Sequence, residues 1–262
     1  MASSLARARD RYLRVYRPGD EHRLEPPDPR QVAWLVRLLA VAERYHRYRV
    51  DGLEHIPRTG PALITSFHAL TIIDMCMLGR RVFLRDRRIP RGLTDTLMFS
   101  FPGIRDLFTT LGIVEGTQAN AAALLRAGEL AVCMPGGGLE WARSSRQRYQ
   151  LRWGDHRGYA RLAIRAGVPI VPTACPGADR VFVVPFDGWK AGEVARRWLG
   201  LRRTIPLPVP LGLPFGLPVQ LTQRVGAPIW PEVPPAAADD PAAVARLDDR
   251  VRASIRDLLA RA

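Results

Sequence analysis

Positions 68 and 74 carry the residue types of a general base and its carboxylate partner. His68 follows the apolar run Ala62–Phe67, and Asp74 lies six residues further on, inside a second apolar run, Leu70–Leu78. An imidazole accepts a proton near neutral pH, and a neighbouring carboxylate fixes its tautomer and stabilises the imidazolium. The pair therefore predicts proton abstraction from a substrate. The alternative is a loop histidine next to an unrelated charge at a helix start.

The spacing limits how these two side chains can meet. On one continuous helix, side chains six residues apart point about 120° away from each other, because one turn takes about 3.6 residues. The pair can meet only if His68 lies on a non-helical lead-in and the helix begins near residue 70. The run Ala62–Phe67 follows a Thr-Gly-Pro turn signal and is typical of a buried strand, so His68 stands where that strand ends.

A glycine-rich turn follows another predicted strand. Residues 129–134 are typical of a buried strand and lead into Pro135, Gly136, Gly137 and Gly138. Glycines let the backbone approach a ligand closely. Because ligands bind at the carboxyl ends of parallel strands, which share one edge of a sheet, we expect His68 and this turn to lie at the same edge.

The rest of the chain alternates helical and strand patterns. Predicted helices cover 31–48, 70–79, 93–101, 104–111, 118–127, 156–166, 190–203 and a last segment from about residue 240. Predicted strands cover 50–56, 61–67, 80–84, 112–117, 129–134, 168–172, 181–184 and 219–225. This alternation predicts an α/β fold with a mixed, largely parallel sheet flanked by helices, and the first helix is amphipathic.

Composition divides the chain into three parts. Residues 1–30 are polar and arginine-rich and predict a basic N-terminal arm. Residues 31–230 form the predicted α/β domain, and residues 231–262 a Pro/Ala linker with a C-terminal helix. Five prolines between 206 and 218 exclude a regular spanning helix there. No other window is apolar over ~18 residues, so we expect no transmembrane helix.

The net charge of +14 comes almost entirely from arginine. Such a surface attracts phosphates of lipid headgroups, nucleic acid or a nucleotide-bearing substrate, although a general bias towards arginine codons also explains it. No zinc finger, aromatic RNA-binding motif or helix-turn-helix signature is present, so we expect no nucleic-acid partner. The three cysteines lie scattered in apolar runs, which predicts buried thiols in a reducing compartment, and no metal-ligand spacing links them to the histidines.

Four features in fixed order resemble the glycerolipid acyltransferase superfamily, also called the lysophospholipid acyltransferase family. They are the His68…Asp74 box, Gly112–Thr117 with Asn120, the block Pro135–Glu140, and the proline-bracketed strand at 168–172. The box reads H-x-x-x-x-x-D, one residue longer than the main form of the family. Together with the P-G-G of the third block, this is similar to the diacylglycerol acyltransferase-like branch. The similarity runs from about residue 52 to residue 228.

This resemblance implies a 1-acylglycerol-3-phosphate acyltransferase-like fold and an O-acyltransferase activity. A fatty acyl group would move from acyl-CoA or acyl-carrier protein, as donor substrate, to a hydroxyl of a glycerolipid or another lipid, with no cofactor and no metal. His68 would act as the base oriented by Asp74. Substrate contacts would come from Gly116, Thr117, Asn120, Pro135, Gly136, Gly137, Gly138 and Glu140. The expected location is the cytoplasm, peripherally on the cytoplasmic face of an anionic membrane.

Two other functions fit the same residues. A thioesterase-like hydrolase would use water as the acceptor at the same site. A non-enzymatic, basic membrane-surface protein would bind lipid without needing His68. Nucleic-acid binding rests on charge alone and ranks last.

Overall fold

Strand β2 (Ala62–Ser66) lies at the centre of the fold, and all five of its residues are buried. The computed structural model describes residues 27, 29–95, 99, 102–200, 204, 206–211 and 216–261. A strand that is buried on both faces is what a parallel sheet covered by helices on both sides requires. Residues that follow β2 are therefore placed at the middle of one sheet edge.

The sheet is mixed and largely parallel, as predicted. Its other strands are β1 (Arg49–Asp51), β3 (Arg91–Thr94), β4 (Val114–Glu115), β5 (Leu130–Cys133), β6 (Ile170–Ala174) and β7 (Thr222–Val225). Within the described residues the strand order is β1-β7-β6-β2-β5-β3-β4. All neighbouring strands are parallel except β6 and β7, which are antiparallel. The carboxyl ends of β2, β5 and β6 therefore lie side by side.

Helices pack on both faces of this sheet. They are α1 (Pro29–Tyr45), α2 (Ile73–Asp86), α3 (Pro102–Thr110), α4 (Gln118–Arg126), α5 (Gly137–Trp141), α6 (Gly158–Ala166), α7 (Gly188–Leu199) and α8 (Pro241–Ala260). Leu63 belongs to an apolar cluster with residues of α6 and α8, and Ile64 to a second cluster with residues of α2. Because successive strand residues point to opposite faces, these clusters form the two halves of the core.

The predicted strand at 80–84 is wrong, because these residues belong to α2. Leu78 and Val82 lie four residues apart, are fully buried, and form one face of that helix. On its other side, Arg80 and Arg81 each contact the buried carboxylate of Glu43 in α1 at 2.8 Å. The two arginines therefore face a charged neighbour, while Leu78 and Val82 form the buried face of the same helix.

Two further elements differ from the sequence prediction. The strand predicted at 50–56 ends at Asp51, because Gly52 adopts φ +81° and turns the chain into a short 3₁₀ helix, Leu53–His55. The helix predicted at 93–101 begins within β3, and its residues 96–98, 100 and 101 lie outside the described residues. Short elements with mixed patterns are the ones that local sequence specifies least.

The first and last helices both pack on the sheet domain. Amphipathic helix α1 buries Val32 and Leu39, while the predicted basic arm at 1–30 lies almost wholly outside the described residues. Helix α8 begins after Asp240, whose side chain accepts a hydrogen bond from the N–H of Ala242 at 2.9 Å. Its apolar face belongs to the same core cluster as Leu63. In the part of the chain that the structure describes, no helix is long and apolar enough to cross a bilayer.

Candidate active site

His68 lies two residues beyond the carboxyl end of the central strand β2. The chain stays non-helical until α2 begins at Ile73, and the hydroxyl of Thr71 accepts a hydrogen bond from the N–H of Ile73 at 3.1 Å. Asp74 is the second residue of α2. The non-helical lead-in that the spacing required is therefore present, although the helix begins slightly later than predicted.

The imidazole of His68 is held as one tautomer. Its Nδ1 lies 2.7 Å from the carbonyl oxygen of Ala69, and because a carbonyl only accepts, Nδ1 carries the hydrogen. Among the described residues none pairs with Nε2, which is left with its lone pair. Burial lowers the pKa of His68 to about 4, and the nearby Arg143 guanidinium lowers it further while the Ala69 bond opposes the shift. His68 is therefore unprotonated near neutral pH, as a base must be.

The main chain of His68 is bonded on both sides to buried charged side chains. Its N–H donates to Oε2 of Glu140 at 3.0 Å, and its carbonyl oxygen accepts from Nη1 of Arg143 at 2.8 Å. Glu140 belongs to α5, which follows the glycine-rich turn after β5. The turn and the base, which the sequence predicted at the same sheet edge, are thus joined directly.

The Glu140 carboxylate is fully buried and accepts two more hydrogen bonds. The N–H of Arg152 donates to Oε1 at 3.1 Å, and the indole N–H of Trp153 donates to Oε2 at 3.0 Å. Burial raises the pKa of Glu140 to about 7, while these N–H donors and the Arg143 guanidinium oppose that shift. With its oxygens occupied by protein N–H groups, Glu140 supports His68 in this structure.

Arg143 connects the same loop to the opposite side of the site. Its Nη2 contacts Oδ1 of Asp179 at 2.5 Å, and its guanidinium lies 4.2 Å from the centre of the Phe67 ring. Its Nε has no hydrogen-bond partner among the described residues. A small pocket beside it is lined by Leu70, Trp141, Arg143, Ser144, Asp179 and Phe182. Its lining residue Leu70 lies two positions after His68 in the chain.

Asp74 is buried near His68 in the chain, but the structure shows no hydrogen bond between the two described side chains. Burial raises the pKa of Asp74 to about 7, two main-chain N–H groups of the first turn of α2 oppose the shift, and Asp179 adds to it. Its carboxylate forms no ion pair within the described residues. A buried carboxylate that titrates near neutral pH is a common property of functional sites.

The glycines of the glycine-rich turn are required for close approach to two different side chains. A Cβ on Gly136 would lie 2.5 Å from Cβ of Glu140, and a Cβ on Gly138 would lie 2.9 Å from Cζ3 of Trp189. Gly137 has φ +46° and faces open space. At the start of the turn, the carbonyl of Pro135 accepts from Nδ1 of His156 at 2.9 Å. Of the three glycines, Gly137 is the one beside which the described residues leave open space.

The other predicted substrate residues lie further along the same edge. Gly116, Thr117 and Asn120 follow β4, which is separated from β2 by β3 and β5. The hydroxyl of Thr117 accepts from the main-chain N–H of Asn120 at 3.1 Å, and the Asn120 amide donates to the Glu115 carbonyl at 3.1 Å. Thr117 is thus the N-cap of α4, and no hydrogen bond of these three residues reaches His68.

The site contains no activated cysteine. Burial raises the pKa of Cys76 and of Cys133 to about 12, so both stay thiols at neutral pH, and Cys175 is wholly buried. All three cysteines are free. Across the described ranges, no group of three His, Cys, Asp or Glu side chains could hold a metal ion. The chemistry that these residues offer is proton transfer by His68.

Sequence reasoning missed the residues that complete the support of His68. These are Arg143, Arg152, Trp153 and Asp179. In a chain with 39 Lys and Arg residues, a single arginine carries little signal. The position of Arg143 three residues after Glu140 is the one hint that the sequence offers, because residues three apart can share a face.

Comparison with known proteins gives matches over the central part of the chain. The family model described as Acyltransferase matches residues 47–176. A Homo sapiens protein named "DGAT1/2-independent enzyme synthesizing storage lipids" is 37% identical over 128 residues, which are 49% of this chain and 39% of that protein. The chain therefore spans well under two thirds of the length of this relative. An uncharacterized Mycobacterium bovis protein is 30% identical over 228 residues, 83% of this chain and 62% of that protein.

A solved structure shares the fold. The crystal structure of the 1-acyl-sn-glycerophosphate (LPA) acyltransferase, PlsC, from Thermotoga maritima matches with a TM-score of 0.53. The match covers 87% of this chain and 79% of that chain at 14% sequence identity. At this identity the likeness concerns the backbone fold.

Proposed function

This chain belongs to the glycerolipid acyltransferase superfamily, and we propose that it transfers a fatty acyl group from a thioester donor to a lipid hydroxyl. The donor in this proposal is acyl-CoA or acyl-carrier protein, and the acceptor is a glycerolipid or a related lipid. The observation that carries the proposal is the state of His68. Its Nδ1 is bonded to Ala69, its main chain is bonded to Glu140 and Arg143, and its Nε2 pairs with no described residue.

In the proposed reaction, Nε2 of His68 takes the proton of the acceptor hydroxyl. The oxygen attacks the thioester carbonyl, the new C–O ester bond forms as the C–S bond breaks, and the leaving thiolate takes the proton back from the imidazolium. A general base in this role typically raises the reaction rate by about 10²–10⁴-fold. Asp74 is proposed to stabilise the transient imidazolium through its charge from the first turn of α2, where its carboxylate is buried.

The other predicted site residues take supporting roles in this proposal. The open side of Gly137 lies in the glycine-rich turn, next to the residue Glu140 that holds His68, and is proposed to face the donor. Gly116 and Thr117 form the turn after β4, and Asn120 lies in the first turn of α4 at the same sheet edge. All three are proposed to border the substrate. The excess of arginine favours a peripheral location on the anionic cytoplasmic face of a membrane.

The test is thiol release from a long-chain acyl-CoA by the wild-type chain and by His68→Ala. The assay is run with and without monoacylglycerol, diacylglycerol, lysophospholipid and fatty-alcohol acceptors, and products are identified by mass. We expect acceptor-dependent release that falls by about 10²–10⁴ in His68→Ala. His55→Ala is the matched control, because His55 bonds the Val225 carbonyl beside β1 and β7, away from the carboxyl end of β2.

The outcomes separate the candidate functions. Release that needs His68 but no acceptor would identify a thioesterase-like hydrolase. Full activity of His68→Ala would rule out the proposed base. Lipid binding without any thiol release would leave a membrane-surface protein.

A further inference from the structure

Helix α7 exposes an apolar face that the rest of the described chain does not cover. It begins at Asp187, whose carboxylate accepts from the N–H groups of Trp189 and Lys190, and it ends at Gly200. Trp198 is 87% exposed, Leu199 71% and Val194 57%. Positions 194 and 198 are one turn apart, so these side chains share one side of the helix. Contiguous exposed apolar residues of this size mark an interaction site.

The proline-rich segment 206–211 extends this face. The N–H of Leu207 donates to the carbonyl of Gly188 at 2.8 Å, and Leu211 pairs with Val183 in an antiparallel bridge with hydrogen bonds of 3.1 and 2.7 Å. The hydroxyl of Thr204 donates to Glu193 of α7 at 2.7 Å. Both the helix and this segment, which is bonded to it at Gly188, expose large apolar side chains. We call these residues the α7 surface: Val194, Trp198, Leu199, Leu207, Val209 and Leu211.

The charges on α7 indicate the occupant of the α7 surface. Lys190 and Arg197 are exposed on the same helix. A helix with Trp and Leu on one face and cations beside them is typical of segments that lie in a bilayer interface. A second copy of the chain would bring another +14 charge to the contact, whereas anionic lipid headgroups neutralise it.

The α7 surface is fixed to the candidate active site. Trp189 and Pro206 both pack against Gly138, where an added Cβ would lie 2.9 and 3.1 Å from their side chains. The guanidinium of Arg152 contacts Asp187, the N-cap of α7, at 3.1 Å, while the main-chain N–H of Arg152 donates to Glu140. A lipid layer on α7 would therefore lie next to the glycine-rich turn.

We propose that the α7 surface docks on an anionic lipid bilayer and brings the lipid acceptor to His68, an inference that rests on the acyltransferase function proposed above. Docking by this face removes the need for the lipid to cross water, because the turn that borders the site lies at the edge of the docked surface. The proposal makes Trp198 and Leu199 the main apolar anchors, since they are the most exposed large apolar residues of the helix.

The test is flotation of the full chain with vesicles of phosphatidylcholine, with and without phosphatidylglycerol. We expect binding to the anionic vesicles that weakens with salt. The double variant Trp198→Ser/Leu199→Ser should lower partitioning at least about tenfold, because each side chain loses apolar burial. The matched control is Trp34→Ser/Leu38→Ser on α1, where two side chains of the same types are also exposed and should matter little.

A second readout separates docking from chemistry. Turnover of a short-chain donor with a water-soluble acceptor needs no bilayer, so the α7 double variant should keep it while losing turnover on acceptors embedded in vesicles. If no chain, wild type included, turns over either substrate, the acyltransferase proposal fails, and flotation still decides the docking surface. Should the double variant not fold, Arg197→Glu, at a side chain that is 72% exposed, is expected to weaken flotation with anionic vesicles only.

Three results would overturn the docking proposal. The first is a wild-type chain that does not float with anionic vesicles. The second is a loss of flotation in the α1 control variant but not in the α7 variant. The third is a wild-type dimer, by light scattering, that the α7 double variant converts to a monomer, which would make a second copy the occupant.

Discussion

At the scale of single residues, His68 is positioned through its main chain. Glu140 and Arg143 bond its N–H and its carbonyl, and both side chains are buried. Hydrogen bonds in which one partner is charged are shorter and stronger than neutral ones. The backbone that carries the imidazole is therefore fixed. The hydrogen bond from Nδ1 of His68 to the carbonyl of Ala69 selects the tautomer that is protonated on Nδ1. This arrangement presents Nε2 without a carboxylate bonded to Nδ1.

Asp74→Asn should make the protein more stable at high pH relative to wild type. Burial raises the pKa of Asp74 to about 7 from its ordinary value of 3.8, so the folded chain holds this proton more tightly than the unfolded chain. The stability from this group is fully present below its unfolded pKa and is lost as pH rises through 7. Urea unfolding at about pH 5 and about pH 8 should show the variant gaining roughly 2–3 kcal/mol on wild type.

The same substitution should lower turnover, because the charge that stabilises the imidazolium is gone. In wild type the acid limb of the pH profile is expected near 7, where Asp74 ionises, since His68 itself is neutral above about pH 4. Asp257→Asn is the control. It removes an exposed carboxylate of α8, away from the site, and should change stability by less than ~0.5 kcal/mol at either pH. If Asp74→Asn changed the free energy of unfolding by the same amount at the two pH values, the raised pKa of Asp74 would be contradicted.

Single residues also show which features of the candidate site local sequence can indicate. His68 was predicted as a base because an uncommon residue type ends an apolar run, and Glu140 was predicted as a substrate contact from the block Pro135–Glu140. The hydrogen bonds that Glu140 accepts from Arg152 and Trp153 could not be predicted, because they depend on how a loop folds back. Arg143 looks like any other arginine until its burial is known.

At the scale of elements, the glycine-rich turn decides where Glu140 sits. Helix α5 is only five residues long, so its own hydrogen bonds stabilise it little. Its position comes from close packing: Gly136 leaves room for the Glu140 side chain, and Gly138 leaves room for Trp189 of α7. The turn thereby links the base after β2 to the helix that carries the exposed apolar face.

Gly136→Ala should therefore displace Glu140 and disturb His68. The new Cβ would lie 2.5 Å from Cβ of Glu140, so the helix must shift. We expect a loss of stability of about 1–3 kcal/mol, as for overpacked cores, and a fall in turnover. Thermal unfolding measures the loss of stability, and the thiol-release assay measures the fall in turnover. Gly103→Ala is the control, because that glycine of α3 has open space around it; it should be neutral or gain up to ~1 kcal/mol. Unchanged turnover in Gly136→Ala would contradict this role.

Elements were predictable where one signal dominated. The buried strand β2, the Thr117 N-cap of α4 and the Asp240 start of α8 follow from apolar runs and capping residues. The error at 80–84 arose because a short continuous apolar run, here residues 82–84, fits a buried strand and a buried helix segment equally well. The contact of Arg80 and Arg81 with Glu43 of α1, which selects the helix, is not local in sequence.

At the scale of the whole molecule, the site is connected to the last helix through buried side chains. Glu140 accepts from Trp153, whose ring packs edge-on against Tyr159 with ring centres 5.3 Å apart. The hydroxyl of Tyr159 donates to Asp248 of α8 at 2.7 Å, and Arg252 also bonds Asp248 at 2.8 Å. The mixed, largely parallel sheet was predictable from alternation, but this path joins residues that are far apart in sequence and was not.

Removal of residues 231–262 should therefore prevent the rest of the chain from folding. Six apolar side chains of α8 are no more than 5% exposed: Val244, Leu247, Val251, Ile255, Leu258 and Leu259. At about 1.5–3 kcal/mol each, their burial is comparable to the whole stability of a domain, ~5–15 kcal/mol. Circular dichroism and proteolysis should show an unfolded chain. Ile255→Ala should cost about 2–5 kcal/mol, and Arg256→Ala, at an exposed position of the same helix, less than ~0.5 kcal/mol. A stable, folded 1–230 fragment would show instead that the final helix is a separate unit.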